Sequence, residues 1–175
     1  MAGRKRLLIV DGYNILNFAW PGLMGSGLDA ARDKLIDGLH DYAGYTAQYV
    51  VAVFDAWKSD RLDRSIEIRG QLTIVFTRRG ETADHYIERL CDDKRRLIDA
   101  GKLEVRVATS DLVEQTVIFG RGATRISARE LIAEMDSMKT VGRKSGKPTL
   151  QHKPTVMDGL SGDVRAKLDK LRRGQ

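Results

Sequence analysis

The stretch Leu7-Leu8-Ile9-Val10-Asp11-Gly12-Tyr13-Asn14 passes without a break from an apolar run to a carboxylate, a glycine and an amide. Four consecutive apolar residues read as a buried strand. In an open parallel α/β sheet, ligands bind beyond the carboxyl ends of the strands. Asp11 would stand at that edge, and Gly12 would let Asn14 turn back towards it. A carboxylate at the mouth of a buried strand suits a hard cation. An Asp in this place also serves as a turn residue or as the N-cap of a helix, so one occurrence does not choose between the two.

The pattern recurs along the chain. Tyr49-Val50-Val51-Ala52-Val53-Phe54 is followed by Asp55. Leu72-Thr73-Ile74-Val75-Phe76 leads through Thr77-Arg78-Arg79-Gly80 to Glu81-Thr82-Ala83-Asp84. Leu103-Glu104-Val105-Arg106-Val107-Ala108 leads through Thr109 to Ser110-Asp111. Each confident strand is followed within a few residues by an acid. A parallel sheet would bring those acids out on one side.

Helical patterns separate the strands, which predicts an α/β fold with a mainly parallel central sheet covered by helices. Asp29–Tyr45 places Ala31, Leu35, Leu39 and Tyr42 on one helical face, and Thr82–Ala100 carries a stripe that includes Tyr86, Ile87, Leu90 and Cys91. The stretch holding Phe18, Trp20 and Pro21 reads as a loop. Residues 56–70, rich in Arg and Asp, read as a mobile loop with at most a helical turn. Ser110 or Asp111 would cap a helix reaching towards Gly120. Thr124-Arg125-Ile126 has the character of a short edge strand. Ser127 and Glu130 have capping-box spacing and would open a helix over Ala128–Met138. Residues 142–157, with Gly142, Gly146, Pro148, Pro154 and several lysines, read as a linker or arm. Val164, Leu168 and Leu171 could share a face of a short terminal helix. The expected organisation is a domain over residues 1–140 and a basic C-terminal arm over 141–175.

Charge is placed unevenly. Residues 139–175 hold ten Lys/Arg against three Asp, whereas the other 138 residues hold 20 bases and 21 acids. The formal charge of +6 therefore resides in the C-terminal stretch. Such a tail attracts polyanions through its field and through counterion release, although it also serves as a solubilising tail. No apolar run is long enough to cross a bilayer. The apolar stretch after Met1-Ala2-Gly3-Arg4-Lys5-Arg6 is too short for a secretory signal. The single cysteine, Cys91, reads as a core thiol. A cytoplasmic protein with no membrane partner is expected.

Asp11, Asp84 and Asp111 form the candidate metal-binding set, with Glu81 and Asn14 beside them. Magnesium and manganese prefer oxygen ligands, and magnesium often takes only one or two protein carboxylates. Several acids in one cleft repel each other, and a divalent cation offsets that cost. Mg²⁺ or Mn²⁺ is thus the expected cofactor, with Asp11, Asp84, Asp111 and Asn14 as the catalytic group. Ser110, Asp55, Arg78, Arg79, Lys144, Lys147 and Lys153 are candidate substrate contacts. Structural roles compete at several positions. Glu81 and Asp84 fall in the first turn of a helix, where the macrodipole alone favours acids. Asp111 suits a helix cap, and Asp55 could hold Arg61 or Arg64. Trp20 and Trp57 could stack on unpaired bases or pack against the domain. His40, His85 and His152 lack metal-ligand spacing. No Ser-His-Asp or Cys-His arrangement, Asp-x-Asp nucleophile motif or Gly-Lys-Ser/Thr phosphate loop is present.

Asp11-Gly12-Tyr13-Asn14, Phe54-Asp55-Ala56, Glu81-Thr82-Ala83-Asp84 and Ala108-Thr109-Ser110-Asp111 resemble, in order and spacing, the YacP-like NYN ribonucleases, relatives of PIN-domain and FLAP-type nucleases. Gly122-Ala123 and Ser127-Ala128-Arg129-Glu130-Leu131 also look like that family. The resemblance covers roughly residues 5–138. It implies a Rossmann-like, three-layer PIN/NYN fold and divalent-metal endoribonuclease activity. It carries metal-binding acids onto Asp11, Asp84 and Asp111 and an assisting polar role onto Asn14. Asp55 and Glu81 match the motifs without a settled duty, and nothing carries over to the tail after 140. The expected substrate is single-stranded mRNA or other unpaired RNA, because the bond must reach a recessed site, with the ribosome as a candidate partner. Two rival readings stay open: a non-catalytic RNA- or ribosome-binding module on the same fold, and a small-molecule phosphohydrolase or phosphotransferase.

Overall fold

The computed structural model describes residues 3–23, 25–56, 62–110, 120 and 122–144, with side chains as far as 141. The chain divides into two units, Met1–Lys139 and Thr140–Gln175. The first contains β1 (Lys5–Asp11), α1 (Gly12–Ala19), a short 3₁₀ turn (Pro21–Leu23), α2 (Leu28–Thr46), β2 (Tyr49–Phe54), β3 (Ser65–Arg69), β4 (Leu72–Phe76), α3 (Ala83–Asp99), β5 (Leu103–Ala108) and β6 (Thr124–Ile126). The last described element, α4, spans Ala128–Lys144.

The six strands lie in the order β3-β4-β2-β1-β5-β6. All neighbours are parallel except the β3–β4 hairpin. β1 is flanked by β2 and β5, with Val10 opposite both Ala52 and Ala108. The chain first builds outward from β1 through β2 to β4. It then crosses back over β1 to lay down β5 and β6. Strand order therefore reverses between β1 and β5, which makes that crevice the topological switch point of the sheet.

Alternation within β1 creates the layers. Leu8 and Val10 pack with Leu35, Leu39 and Tyr42 of α2 and Leu131 and Met135 of α4. Leu7 and Ile9 face the opposite side and pack with Ile87, Cys91 and Ile98 of α3. A strand buried on both faces must be apolar throughout, which is why Leu7–Val10 has no polar residue. Cys91 is a buried thiol in this core.

Three elements depart from the sequence expectations. The loop expected after β1 is the helix α1. Its opening Gly12-Tyr13-Asn14 has poor intrinsic helix propensity, but burial of Ile15 and Leu16 and a cap from Asp11 hold it. The mobile loop expected over 56–70 contains β3, while residues 57–61 lie outside the described set. β3 alternates Ile66 and Ile68 with charged residues, a strand-like period that the expectation of a loop passed over, although both isoleucines are exposed. Gly70, at φ 60°, makes the turn into β4. Finally, α4 runs to Lys144, beyond the expected end at Met138 and into the expected linker. The edge strand at 124–126 and the Ser127–Glu130 box are both present: Ser127 N donates to Glu130 Oε2 at 2.7 Å, and Glu130 N to Ser127 Oγ at 3.2 Å. The helix expected after Ser110 and the terminal helix around Val164, Leu168 and Leu171 lie outside the described residues.

One polar network ties three elements together under α4. Tyr42 Oη donates to Glu134 Oε2 at 2.5 Å, and Arg106 donates to Glu134 Oε1 at 3.1 Å and to Tyr42 Oη at 2.8 Å. Burial acts to raise the Glu134 pKa, but the hydrogen bonds from Arg106 and Tyr42 outweigh it and hold the carboxyl below its ordinary value. A depressed carboxyl pKa contributes stability above the unfolded value and loses it as pH falls through the folded one. Glu134→Gln should therefore flatten the fall of Tm below about pH 5 relative to the parent. Thermal melts across a pH series measure it; parallel curves for the two proteins would refute the linkage.

Candidate active site at the carboxyl edge of the sheet

Asp11, Phe54, Phe76 and Ala108 are the last residues of the four inner strands, and register places these ends along one edge. Asp11 closes β1 and caps α1, its Oδ1 accepting from Asn14 N at 3.2 Å. Asn14 then reaches across the switch point: its Oδ1 accepts from Ser110 N at 2.8 Å. This bond fixes the start of α1 against the chain leaving β5. It also places Asp11, Asn14 and Ser110 around one crevice.

The neighbouring strand ends carry a second fixed arrangement. Asp55 Oδ2 accepts from Ala83 N at 3.3 Å, which seats the N-terminus of α3 against the end of β2. Thr82 caps α3 by accepting from His85 N at 3.2 Å. Asp84, in the first turn, is held at the same edge. Thr77, almost fully buried, completes the floor: its Oγ1 accepts from Ala56 N at 3.0 Å, and its own N–H donates to Phe54 O at 3.0 Å. β1 and β2 are adjacent, so Asp11 and the Asp55–α3 junction stand one strand apart. Asp11, Asp55 and Asp84 are each partly exposed.

Glu81 is placed differently from the other acids. Its side chain is 5% exposed and carries ion pairs to both Arg64 and Arg89. Arg64 Nε donates to Glu81 Oε2 at 3.1 Å, and Arg78 N donates to the same oxygen at 3.4 Å. Both carboxylate oxygens are thus engaged by guanidinium groups, which is poor preparation for a cation. Glu81, expected as a metal ligand, is placed here as the partner of two arginines. Of the two arginines offered as partners for Asp55, Arg64 goes to Glu81 and Arg61 lies outside the described residues; Asp55 also holds the start of α3. Asp111, Trp57, Arg61, Lys147 and Lys153 lie outside the described residues, as does the side chain of Lys144. Arg78 and Arg79 are exposed beside the α3 start.

Sequence reading missed the roles of Thr77, Thr82 and Arg89, and offered Arg64 to Asp55 where the structure pairs it with Glu81. Thr82 had a signal, a hydroxyl directly before a helical run. Thr77 and Arg64 had none, since their partners lie 21 and 17 residues away, and Arg89 sits eight residues from Glu81, outside any regular helical pairing.

A model of the YacP-like NYN domain matches residues 8–173. The chain belongs to the YacP-like NYN domain family. The uncharacterized protein YacP of Bacillus subtilis (strain 168) is 36% identical over 171 residues, covering 96% of this chain and 97% of YacP. The crystal structure of Rae1 (YacP) from Bacillus subtilis matches at a TM-score of 0.67 and 36% identity, covering 96% of this chain and 95% of that one. A tryptophan-to-leucine variant of Rae1 matches at a TM-score of 0.65 and 33% identity, covering 95% and 99%. Membership indicates a nuclease-like, RNA-related function. The match also runs to residue 173, so the basic C-terminal stretch belongs to the NYN match, further than the resemblance over 5–138 reached.

The oxygen-rich edge bears on whether a divalent cation fits. Asp11 and Asp84 carboxylates, Ser110 and Asn14 supply oxygen donors, with no thiol. Among the described residues no three His, Cys, Asp or Glu side chains form a ready-made cage. Magnesium does not need one, since it commonly keeps several waters and takes one or two carboxylates. The donor set fits a hard cation of that kind.

Proposed function

We propose that this NYN protein is a divalent-metal-dependent endoribonuclease that hydrolyses phosphodiester bonds in single-stranded or locally unpaired RNA. One observation carries the reading. The Asn14–Ser110 bond ties the start of α1, which Asp11 caps, to the chain leaving β5 at the switch point, while Asp55 bonds the start of α3, whose first turn holds Asp84. Asp11 and Asp84 would hold Mg²⁺ or Mn²⁺, with Asp111 as a further candidate. Once bound, the metal supplies positive charge that polarises a phosphodiester and activates the attacking water.

The chain's own groups do the rest. Asn14 keeps its amide oxygen on Ser110 N, so its amide nitrogen is left as a donor at the crevice. Asp11 and Asp84 each lie at a helix start, beside the carboxyl ends of the inner strands. The basic stretch 139–175, including Lys144, Lys147 and Lys153, would add non-specific grip on RNA or on a ribosome.

The test incubates the full chain with a 5′-labelled single-stranded RNA in EDTA, Mg²⁺ or Mn²⁺. Internal cleavage products are expected only with metal. RNA binding with no cleavage in any metal would instead favour the non-catalytic module.

A further inference from the structure

A second feature lies beside the strand ends and takes no part in the chemistry proposed above. A cleft of about 570 Å³ opens at the start of α3, and its walls include Arg78, Arg79, Glu81, His85, Glu88 and Arg89. Three arginines outnumber two acids there, and one of those acids, Glu81, is already neutralised. It is held between Arg89 and Arg64. Arg64 is pinned a second time, its guanidinium lying 4.8 Å from the centre of the Tyr86 ring. Arg64 is thus the inward brace, whereas the Arg89 side chain is 54% exposed at the cleft.

This arrangement has the properties of an anion site. A guanidinium fixed in advance loses less conformational freedom when it binds a phosphate. Glu81, buried and bonded to the Arg78 N–H as well, fixes two neighbours of the cleft at once. Arg89 follows Asp84 by five residues, about 7.5 Å along the helix axis. The cleft therefore neighbours the proposed reaction centre without coinciding with it.

We propose that the cleft binds a backbone phosphate of the RNA strand next to the scissile one. Arg78, Arg79 and Arg89 are its contacts, and Glu81 is a positioning residue that holds Arg89 in place. This rests on the ribonuclease reading and deepens it, since it gives the strand a direction of travel along the start of α3.

The test uses the full chain and a short single-stranded RNA. Binding is followed by fluorescence anisotropy in EDTA across a salt series, and steady-state cleavage is followed with Mn²⁺. Arg89→Ala should raise Kd and KM about ten-fold, with kcat changed much less. Its log–log salt slope should become shallower by about 0.7 for the lost contact. Glu81→Gln should raise KM in the same direction with the same sparing of kcat. Arg96→Ala removes an equal charge from the far end of α3 and should change KM less than two-fold if position matters. Wild-type Kd and salt slope in both Arg89→Ala and an Arg78→Ala/Arg79→Ala double variant would overturn the proposal, whatever Glu81→Gln does to folding. So would an Arg96→Ala effect equal to that of Arg89→Ala. A parent protein that neither binds nor cleaves RNA would overturn the ribonuclease reading and this inference together.

Discussion

Asp11→Asn and Asp84→Asn are each expected to lower metal-dependent RNA cleavage by at least about a hundred-fold, since several kcal/mol of charge stabilisation at phosphorus depend on the metal and its ligands. The substitution isolates charge from structure unusually well at Asp11. That residue also caps α1, and asparagine is as good a cap as aspartate. The Asn14 N–H keeps an oxygen partner, so the α1 start and the Asn14–Ser110 bond should persist. At Asp84 the loss of a negative charge from the first turn of α3 costs at most about 1 kcal/mol through the macrodipole. Neither variant should unfold, and Tm without metal should stay close to the parent's. The discriminating measurement is cleavage of a short RNA at saturating Mn²⁺ beside the melts. Parental cleavage rates in a purified Asp11→Asn/Asp84→Asn double variant would place the chemistry elsewhere.

The strands were legible because they obey a simple physical demand. β1, β2 and β4 are mostly buried runs of apolar residues that hydropathy detects without context, and β5 shows the alternation of buried apolar with half-buried charged residues that marks a strand. The edge at which their acids appear follows from parallel topology, while the strand order β3-β4-β2-β1-β5-β6 was not legible. What hydropathy could not show is what tertiary contacts decide. α1 begins with residues that disfavour a helix and exists because Ile15 and Leu16 reach the core. β3 is an exposed edge strand held by its hairpin partner. At the site, Asp11, Asn14 and Ser110 could be picked from residue type and position, and the bond that joins Asn14 to Ser110 spans 96 residues. Glu81 shows where such reading runs out. As an acid three residues before Asp84 it has the look of a ligand. Only the approach of Arg64 from one side and Arg89 from another reveals that its charge is already matched.

Gly12→Ala is expected to destabilise the fold by about 1–3 kcal/mol, the usual cost of forcing extra volume into a packed interior. Local propensity argues the other way: in a helix interior alanine is better than glycine by about 1 kcal/mol. The outcome depends on Phe54. A Cβ at position 12 would stand 2.3 Å from Phe54 Cε1, 2.5 Å from Cδ1 and 2.8 Å from Cζ. These are ring atoms, not the tip of a flexible chain, and the ring has little room to yield. It is fully buried, stacked on Phe76 at 5.4 Å between centroids and meeting the edge of Tyr13 at 5.4 Å. Sterics should therefore outweigh propensity, lowering Tm by about 3–10 °C for a chain of this size. Because Gly12 lies between Asp11 and Asn14, cleavage should fall as well, even well below the melting range. Phe54→Leu supplies the check. It opens space where the new methyl must go, so Gly12→Ala should cost less in that background, and the double-mutant cycle should show non-additivity above about 0.5 kcal/mol. Additive costs would mean that the close approach of Gly12 to Phe54 is not what position 12 requires, and glycine there would need a different explanation.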